Sequence, residues 1–162
     1  MPLAAIALGS NLDSQYGDRE ANLREAIHRI SALGNIRAVS TFHDTAPVGF
    51  TEQPDFLNAA LLLETALEPL ALMRALLSIE LDMGRDRASK SAPAKGPRII
   101  DLDLLLLDDA VLTMPELTVP HPAMAERRFV LVPLAEIAPA MVHPISGQTI
   151  AELLSQLAAA KP

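Results

Sequence analysis

The 162-residue chain contains no cysteine, so neither a disulfide framework nor a thiolate metal site is open to it. It has no basic excess. Twenty acidic against 13 basic residues give a formal net charge of −7, which argues against a broad nucleic-acid surface. No apolar run approaches the roughly 18 residues of a membrane span. The start, Met1-Pro2-Leu3-Ala4-Ala5, lacks the basic residues and apolar stretch of a secretory signal. A cytoplasmic protein with neither membrane nor nucleic-acid partners is therefore expected. The pattern G-x-x-x-x-G-K-[ST] is missing, which argues against a P-loop kinase. Repeats and low-complexity tracts are missing too. What remains is an ordinary globular composition, half hydrophobic, long enough for one domain over residues 1–162 with a sizeable core.

The most informative stretch is Gly96-Pro97-Arg98-Ile99-Ile100-Asp101-Leu102-Asp103-Leu104-Leu105-Leu106-Leu107. Its Ile and Leu density, with Gly-Pro before it and Asp108-Asp109 after it, reads as a buried strand. Alternation puts Asp101 and Asp103 on one face, their Cα atoms about 6.6 Å apart. Leu102, Leu104 and Leu106 are expected on the other, against a core. Two carboxylates beside an apolar layer are costly unless a cation neutralises them. A hard divalent ion such as Mg²⁺ accepts such oxygens and fills its remaining positions with water and substrate phosphates.

Along the chain, residues 3–8 read as a strand and 18–33 as a helix with Leu23, Ile27 and Ile30 at core spacing. Gly34 closes that helix in the manner of a C-cap. Residues 36–45 read as one strand running into the loop 46–50. Residues 55–65 form a second apolar strand, with Phe56 and Asn58 on one face, an aromatic and an amide able to stack on and hydrogen-bond a planar heterocycle. A helix opens at Glu68-Pro69, its stripe being Leu72, Leu76, Ile79 and Met83. Residues 85–98 then carry Arg85, Arg87, Lys90, Lys95 and Arg98, five of the 13 basic residues. With no apolar periodicity, this is a loop, expected to be mobile, and its charge in an acidic protein points to a phosphate-bearing ligand. Further on come a turn and return at 108–114, a Pro-flanked segment presenting His121, and helices over 129–137 and 149–161 with Thr149 as N-cap. The order β-α-β-β-α-β predicts an α+β fold, a ferredoxin-like sandwich with a mainly antiparallel central sheet and helices covering one face.

Four pieces in this order, Ile6-Ala7-Leu8-Gly9-Ser10-Asn11, then Gly96-Pro97-Arg98 with Asp101-Leu102-Asp103, Val119-Pro120-His121-Pro122 and Glu126-Arg127-Arg128-Phe129-Val130-Leu131, resemble the 6-hydroxymethyl-7,8-dihydropterin pyrophosphokinase family. The resemblance implies transfer of diphosphate from ATP to the pterin alcohol in folate biosynthesis, by a monomeric, Mg²⁺-dependent enzyme with mobile loops over its cleft. It implies that Asp101 and Asp103 hold two Mg²⁺ ions. Phe56 and Phe129 would stack on the pterin, Asn58 would hydrogen-bond it, and Thr45, Pro47 and Val48 would frame it. Glu80, Leu104, His121 and Arg127 would belong to the ATP site. Arg85, Arg87 and Arg98 would serve both ATP binding and catalysis. The residue before Gly96 is usually aromatic in this family and here is Lys95, which leaves closure of the loop to charge more than packing. Two other classes fit the residues without the resemblance: a different metal-dependent nucleotide transferase, and a non-catalytic pterin- or nucleotide-binding module.

Overall fold

The apolar runs pair into one sheet. In a computed structural model, which describes residues 1–46, 53–84 and 98–160, the strands are β1 (Leu3–Ser10), β2 (Asn35–Val39), β3 (His43–Thr45), β4 (Phe56–Glu64) and β5 (Asp101–Leu107). Their order is β2-β4-β1-β5, with β3 continuing along β4, and all described neighbours are antiparallel. Helix α1 (Arg19–Ile30) links β1 to β2, and α2 (Pro69–Asp82) links β4 to β5. This is the ferredoxin-like order anticipated from the sequence. Pro47, Val48, Arg85, Arg87 and Lys95, with the whole of 88–95 and the loop closure expected there, lie outside the described residues.

Local chemistry sets the helix ends. The Asp18 carboxylate accepts the Ala21 N–H at 3.0 Å and starts α1, a cap worth about 1 kcal/mol. Pro69 occupies the first turn of α2, where its missing N–H costs nothing. Thr149 and Glu152 exchange side-chain-to-amide bonds at 3.1 Å in both directions, a capping box that opens α4 (Ile150–Ala160). Helix α3 (Arg128–Ile137) tolerates Pro133 within it.

The structure departs from the expected pattern at four places. Gly34 is not a left-handed cap but extended backbone, needed for space: a Cβ there would lie 2.1 Å from the Glu64 carbonyl oxygen. The strand expected over 36–45 is broken. Ser40 donates its N–H to the Ala60 carbonyl, while its hydroxyl accepts the Ala60 N–H, replacing a ladder carbonyl so that the chain bends before β3. Leu106 is not on the Leu102 face. Ile6 pairs with Leu104 but Ala5 with Leu106, so Leu105 is an extra residue in a β-bulge and the alternation shifts by one. Finally, helices cover both faces. Helices α1 and α2 bury Leu23, Ile30, Leu72 and Leu76 against Ile6, Leu61, Leu102 and Leu104. On the opposite face, α3 and α4 bury Leu131, Leu134 and Ile150 against Ala5, Ala60, Leu62 and Leu106. The last 35 or so residues, which supply α3 and α4, extend the β-α-β-β-α-β core, and their apolar stripes need a second sheet face to bury.

A short hairpin, β6 (Leu112–Thr113) with β7 (Thr118–Val119), packs beside β5 and leads to His121. Between α3 and α4, His143 is buried in a tight turn, its Nδ1 facing the amides of Ile145 and Ser146 at 3.3 Å. Burial holds its pKa below the ordinary 6.5. The neutral ring is favoured in the folded state, so this contribution to stability is complete above pH 6.5 and is lost as pH falls through the lowered folded-state value. Thermal unfolding from about pH 7.5 to about pH 5 should show a falling midpoint, and His143→Asn should flatten part of that slope while keeping an acceptor for the two amides. An unchanged slope would assign the acid sensitivity to other groups.

Candidate functional site

The site is built on the sheet face opposite α1 and α2, at the end where β1 finishes and β5 begins. On that face β1 presents Ala5, Ala7 and Gly9. Register puts Gly9 between Asn58 and Asp101, and Ala7 between Ala60 and Asp103. Small side chains on the central strand therefore form a recessed floor, with the polar groups standing on either side. A Cβ on Gly9 would meet Asn58 Oδ1 at 3.0 Å, Phe56 Cδ1 at 3.7 Å and Asp101 Cβ at 3.9 Å. The floor is open only because this residue is glycine.

Over the floor lies a cleft lined by Thr45, Phe56, Asn58, Arg98, Asp101, Arg127 and Phe129, among others. A smaller recess continues from it between Gly9, Asp101, Asp103 and Val130. The two aromatic walls come from different layers, Phe56 from β4 and Phe129 from the first turn of α3. Each carries a guanidinium: Arg98 Cζ lies 5.2 Å from the Phe56 ring centre and Arg127 Cζ 5.6 Å from that of Phe129. Such contacts are worth about 0.5–1 kcal/mol at exposed sites, weak enough for a planar ligand to replace. Asn58 is buried, and its Nδ2 donates to the Thr45 hydroxyl, which fixes which way the amide faces.

Helix α3 is held to the β3 side of the cleft by Glu136. Its carboxylate accepts the Thr41 N–H at 2.6 Å and the Thr41 hydroxyl at 2.7 Å, with His43 Nε2 at 3.0 Å. The Thr41 donors, above all, keep the Glu136 carboxyl below its ordinary value. That clamp fixes the helix that supplies Phe129.

Asp101 and Asp103 do share a face, half-buried, and Arg98 Nη1 lies 3.0 Å from Asp101 Oδ2. No cluster of three or more His, Cys, Asp or Glu suited to a metal occurs among the described residues. A hard cation fits the pair all the same. Two acceptor-only groups stand beside an alanine and a glycine, and phosphate and water can complete the coordination.

The remaining implied residues fall along the outer side of β5. Among the described strands β5 is the outermost, next to β1. Glu80, buried on α2, accepts the Leu102 N–H at 2.6 Å. His121 donates its backbone N–H to the bulged Leu105 carbonyl at 2.9 Å, while its Nδ1 faces the Ala123 amide at 3.2 Å. Leu104 does not join the cleft through its side chain, which is buried in the α1–α2 layer. One residue in the site region was missed by sequence reasoning. Asn11 is 2% exposed and bonds Gln53, Pro54 and Arg98 at once. Its signals were its place after Gly9-Ser10 at a strand end and at the close of the first of the four pieces that resemble the family.

Residues 5–139 match the family described as 7,8-dihydro-6-hydroxymethylpterin-pyrophosphokinase (HPPK). The chain is 43% identical over 159 residues to the 2-amino-4-hydroxy-6-hydroxymethyldihydropteridine pyrophosphokinase of Methylorubrum extorquens, covering 97% of this chain and 94% of that protein. To the enzyme of the same name from Haemophilus influenzae it is 42% identical, covering 98% and 94%. It is 38% identical to the folic acid synthesis protein fol1 of Schizosaccharomyces pombe over 96% of this chain, and there it spans only 20% of the relative's length. Among solved structures, wild-type HPPK-DHPS of Plasmodium falciparum superposes with a TM-score of 0.78 at 16% identity, covering 98% of this chain and 45% of that one. At that identity the likeness speaks for the fold.

Gly9→Ala tests the floor. The position has no left-handed requirement, so the melting temperature should move little, while the methyl displaces Asn58 Oδ1 and narrows the recess. Affinity for the pterin implied by the resemblance should fall about tenfold or more in calorimetry, about 1.4 kcal/mol. Wild-type affinity would show that the ring does not approach this floor.

Proposed function

Because the chain belongs to the 7,8-dihydro-6-hydroxymethylpterin-pyrophosphokinase family, we propose that residues 1–162 form one catalytic domain that moves diphosphate from ATP onto 6-hydroxymethyl-7,8-dihydropterin in folate biosynthesis. The observation that carries the assignment of parts is the carboxylate pair Asp101 and Asp103, set on one strand face beside a cleft walled by Phe56 and Phe129.

The pterin enters between the two phenyl rings and takes the place of the guanidiniums now lying over them. Asn58, already oriented by Thr45, meets the ring's donors and acceptors. Loss of such a match costs about 1–3 kcal/mol when ligand groups are left unpaired. The resemblance also gives Pro47 and Val48 a part in framing the ring. The hydroxymethyl oxygen attacks the β-phosphorus of ATP and its proton passes to solvent. The bond from that phosphorus to the oxygen shared with the α-phosphate breaks, and AMP leaves with the electron pair. Asp101 and Asp103 would hold magnesium, two ions in this reading, and the metal would supply charge neutralisation on the phosphates and a lowered pKa for the attacking alcohol. Arg98 is paired to Asp101 and, with Arg85, Arg87, Arg127 and His121, steadies the charge that builds on the departing phosphate. Glu80 and the backbone at Leu104 border the nucleotide from the outer side of β5. No helix among the described residues is long and apolar enough to cross a membrane, and the protein acts as a cytoplasmic monomer on these two small molecules.

Mixing the protein with Mg-ATP and 6-hydroxymethyl-7,8-dihydropterin should yield AMP and the pterin diphosphate in equal amounts. ADP with a pterin monophosphate would instead identify an ordinary kinase.

Asp101→Ala and Asp103→Ala should each lower turnover by about a thousandfold or more, since each removes half of the electrostatic anchor for the reacting phosphates. Asp101→Ala also breaks the Arg98 pair, whose side chains are 16% and 21% exposed, and should cost about 1 kcal/mol of stability. Turnover within tenfold of wild type in both variants would remove the pair from the metal site.

A further inference from the structure

Asn11 lies one residue beyond β1, two past the glycine of the cleft floor. Its neighbours Ser10 and Leu12 are both held by the buried Asn22, whose Nδ2 donates to Ser10 Oγ at 3.1 Å and to the Leu12 carbonyl at 2.7 Å. The main chain at Asn11 is thus fixed from below, and its side chain reaches in two directions. Nδ2 donates to Gln53 Oε1 at 2.8 Å and to the Pro54 carbonyl at 3.0 Å. Oδ1 accepts the Arg98 N–H at 2.8 Å, and the Asn11 N–H donates to the Arg98 carbonyl at 3.1 Å.

The two segments tied in this way are the ones that carry the two sides of the cleft. Pro54 is two residues before Phe56, and Arg98 three before Asp101. The regular pairing of β1 with β5 ends at Gly9 opposite Asp101, and the Asn11–Arg98 bonds tie the two segments again beyond it. Both donors of the carboxamide and its oxygen are engaged at a site 2% exposed, which leaves the group little freedom to exchange partners with water.

We propose that Asn11 is a positioning residue for diphosphate transfer: one buried carboxamide sets the Arg98–Asp101 side of the cleft against the Phe56 side, and so fixes the distance between phosphate and acceptor. The proposal rests on the pyrophosphokinase reading above. Each side also stands on its own strand, Phe56 and Asn58 on β4 and Asp101 and Asp103 on β5. Without Asn11 each ligand still meets its own half, and what is lost is their mutual placement. A misplacement of about 1 Å can cost about a hundredfold in rate.

The test separates rate from affinity. Wild type, Asn11→Ala and Asn11→Asp are compared by steady-state kinetics per folded molecule. Binding of 6-hydroxymethylpterin alone, and of Mg²⁺ with a non-hydrolysable ATP analogue alone, is measured by calorimetry. Asn11→Asp has the size of the native residue and keeps an acceptor for the Arg98 N–H, but loses both bonds donated to Gln53 and Pro54, so it serves if the truncated variant does not fold. In either variant kcat should fall about 30- to 100-fold while each single-ligand Kd stays within about threefold of wild type. A kcat within about threefold of wild type would reduce Asn11 to an anchor of the fold and overturn the proposal. So would a fall in one ligand's affinity as large as the fall in kcat, since Asn11 would then serve one side only. The nucleotide product of the wild type reports separately on the reaction: ADP in place of AMP would remove the pyrophosphokinase reading, while the ratio of variant to wild-type kcat still decides the role of Asn11.

Discussion

The constraint on which the rest of the structure depends is that β5 must carry two carboxylates on one face while its other face closes the core. Leu102 and Leu104 are fully buried against the α1–α2 layer. Alternating with them, Asp101 and Asp103 project from the opposite face, where like charges beside apolar side chains are tolerable only with water or cations at hand. The sheet meets this by placing β5 outermost among the described strands and by thinning the neighbouring strand to Ala7 and Gly9. Backbone groups on the outer side of that strand are met by other segments. Glu80 takes the Leu102 N–H and the His121 N–H supplies the Leu105 carbonyl, so residues linked by resemblance to the nucleotide also complete the strand that would hold the metal.

The bulge at Leu105 is the hinge of this arrangement. It shifts the alternation of β5, so Leu105 and Leu106 both enter the core under α3 and α4 while Leu107 returns to the first core. It also turns the Leu105 carbonyl outward, to the segment bearing His121. One extra residue in a strand thus serves the packing of two layers and the placing of a side chain, which accords with the tendency of bulges to lie near functional sites.

The second helical layer does the other half of the work. Helices α3 and α4 cover the lower part of the sheet face and leave the end near Gly9 uncovered, and α3 begins where the covering stops. Phe129 therefore stands at the mouth of the cleft, opposite Phe56. The Glu136 carboxylate, bonded to Thr41 and beside His43, keeps that helix from drifting. Two aromatic walls, a polar amide between them and a carboxylate pair alongside make a cleft suited to a flat heterocycle next to a phosphate chain.

Much of this was legible in the sequence, because it depends on near neighbours along the chain. The alternation in 101–107 paired Asp101 with Asp103, that in 56–64 paired Phe56 with Asn58, and Asp18, Pro69 and Thr149 marked helix starts by bonds or constraints within one turn. The order of strands and helices then pointed to the ferredoxin-like sheet. What the sequence could not decide lies in contacts between distant residues. The bulge that moved Leu106 to the other face arises from pairing with β1, and the break at Ser40 from pairing with Ala60. Gly34 is required by the Glu64 carbonyl rather than by its own torsion angles. The second helical layer, the floor made by Gly9, and the Asn11 carboxamide that joins Pro54 to Arg98 exist only once the strands lie side by side. A hydrogen bond across 87 residues leaves no periodicity in the sequence to announce it.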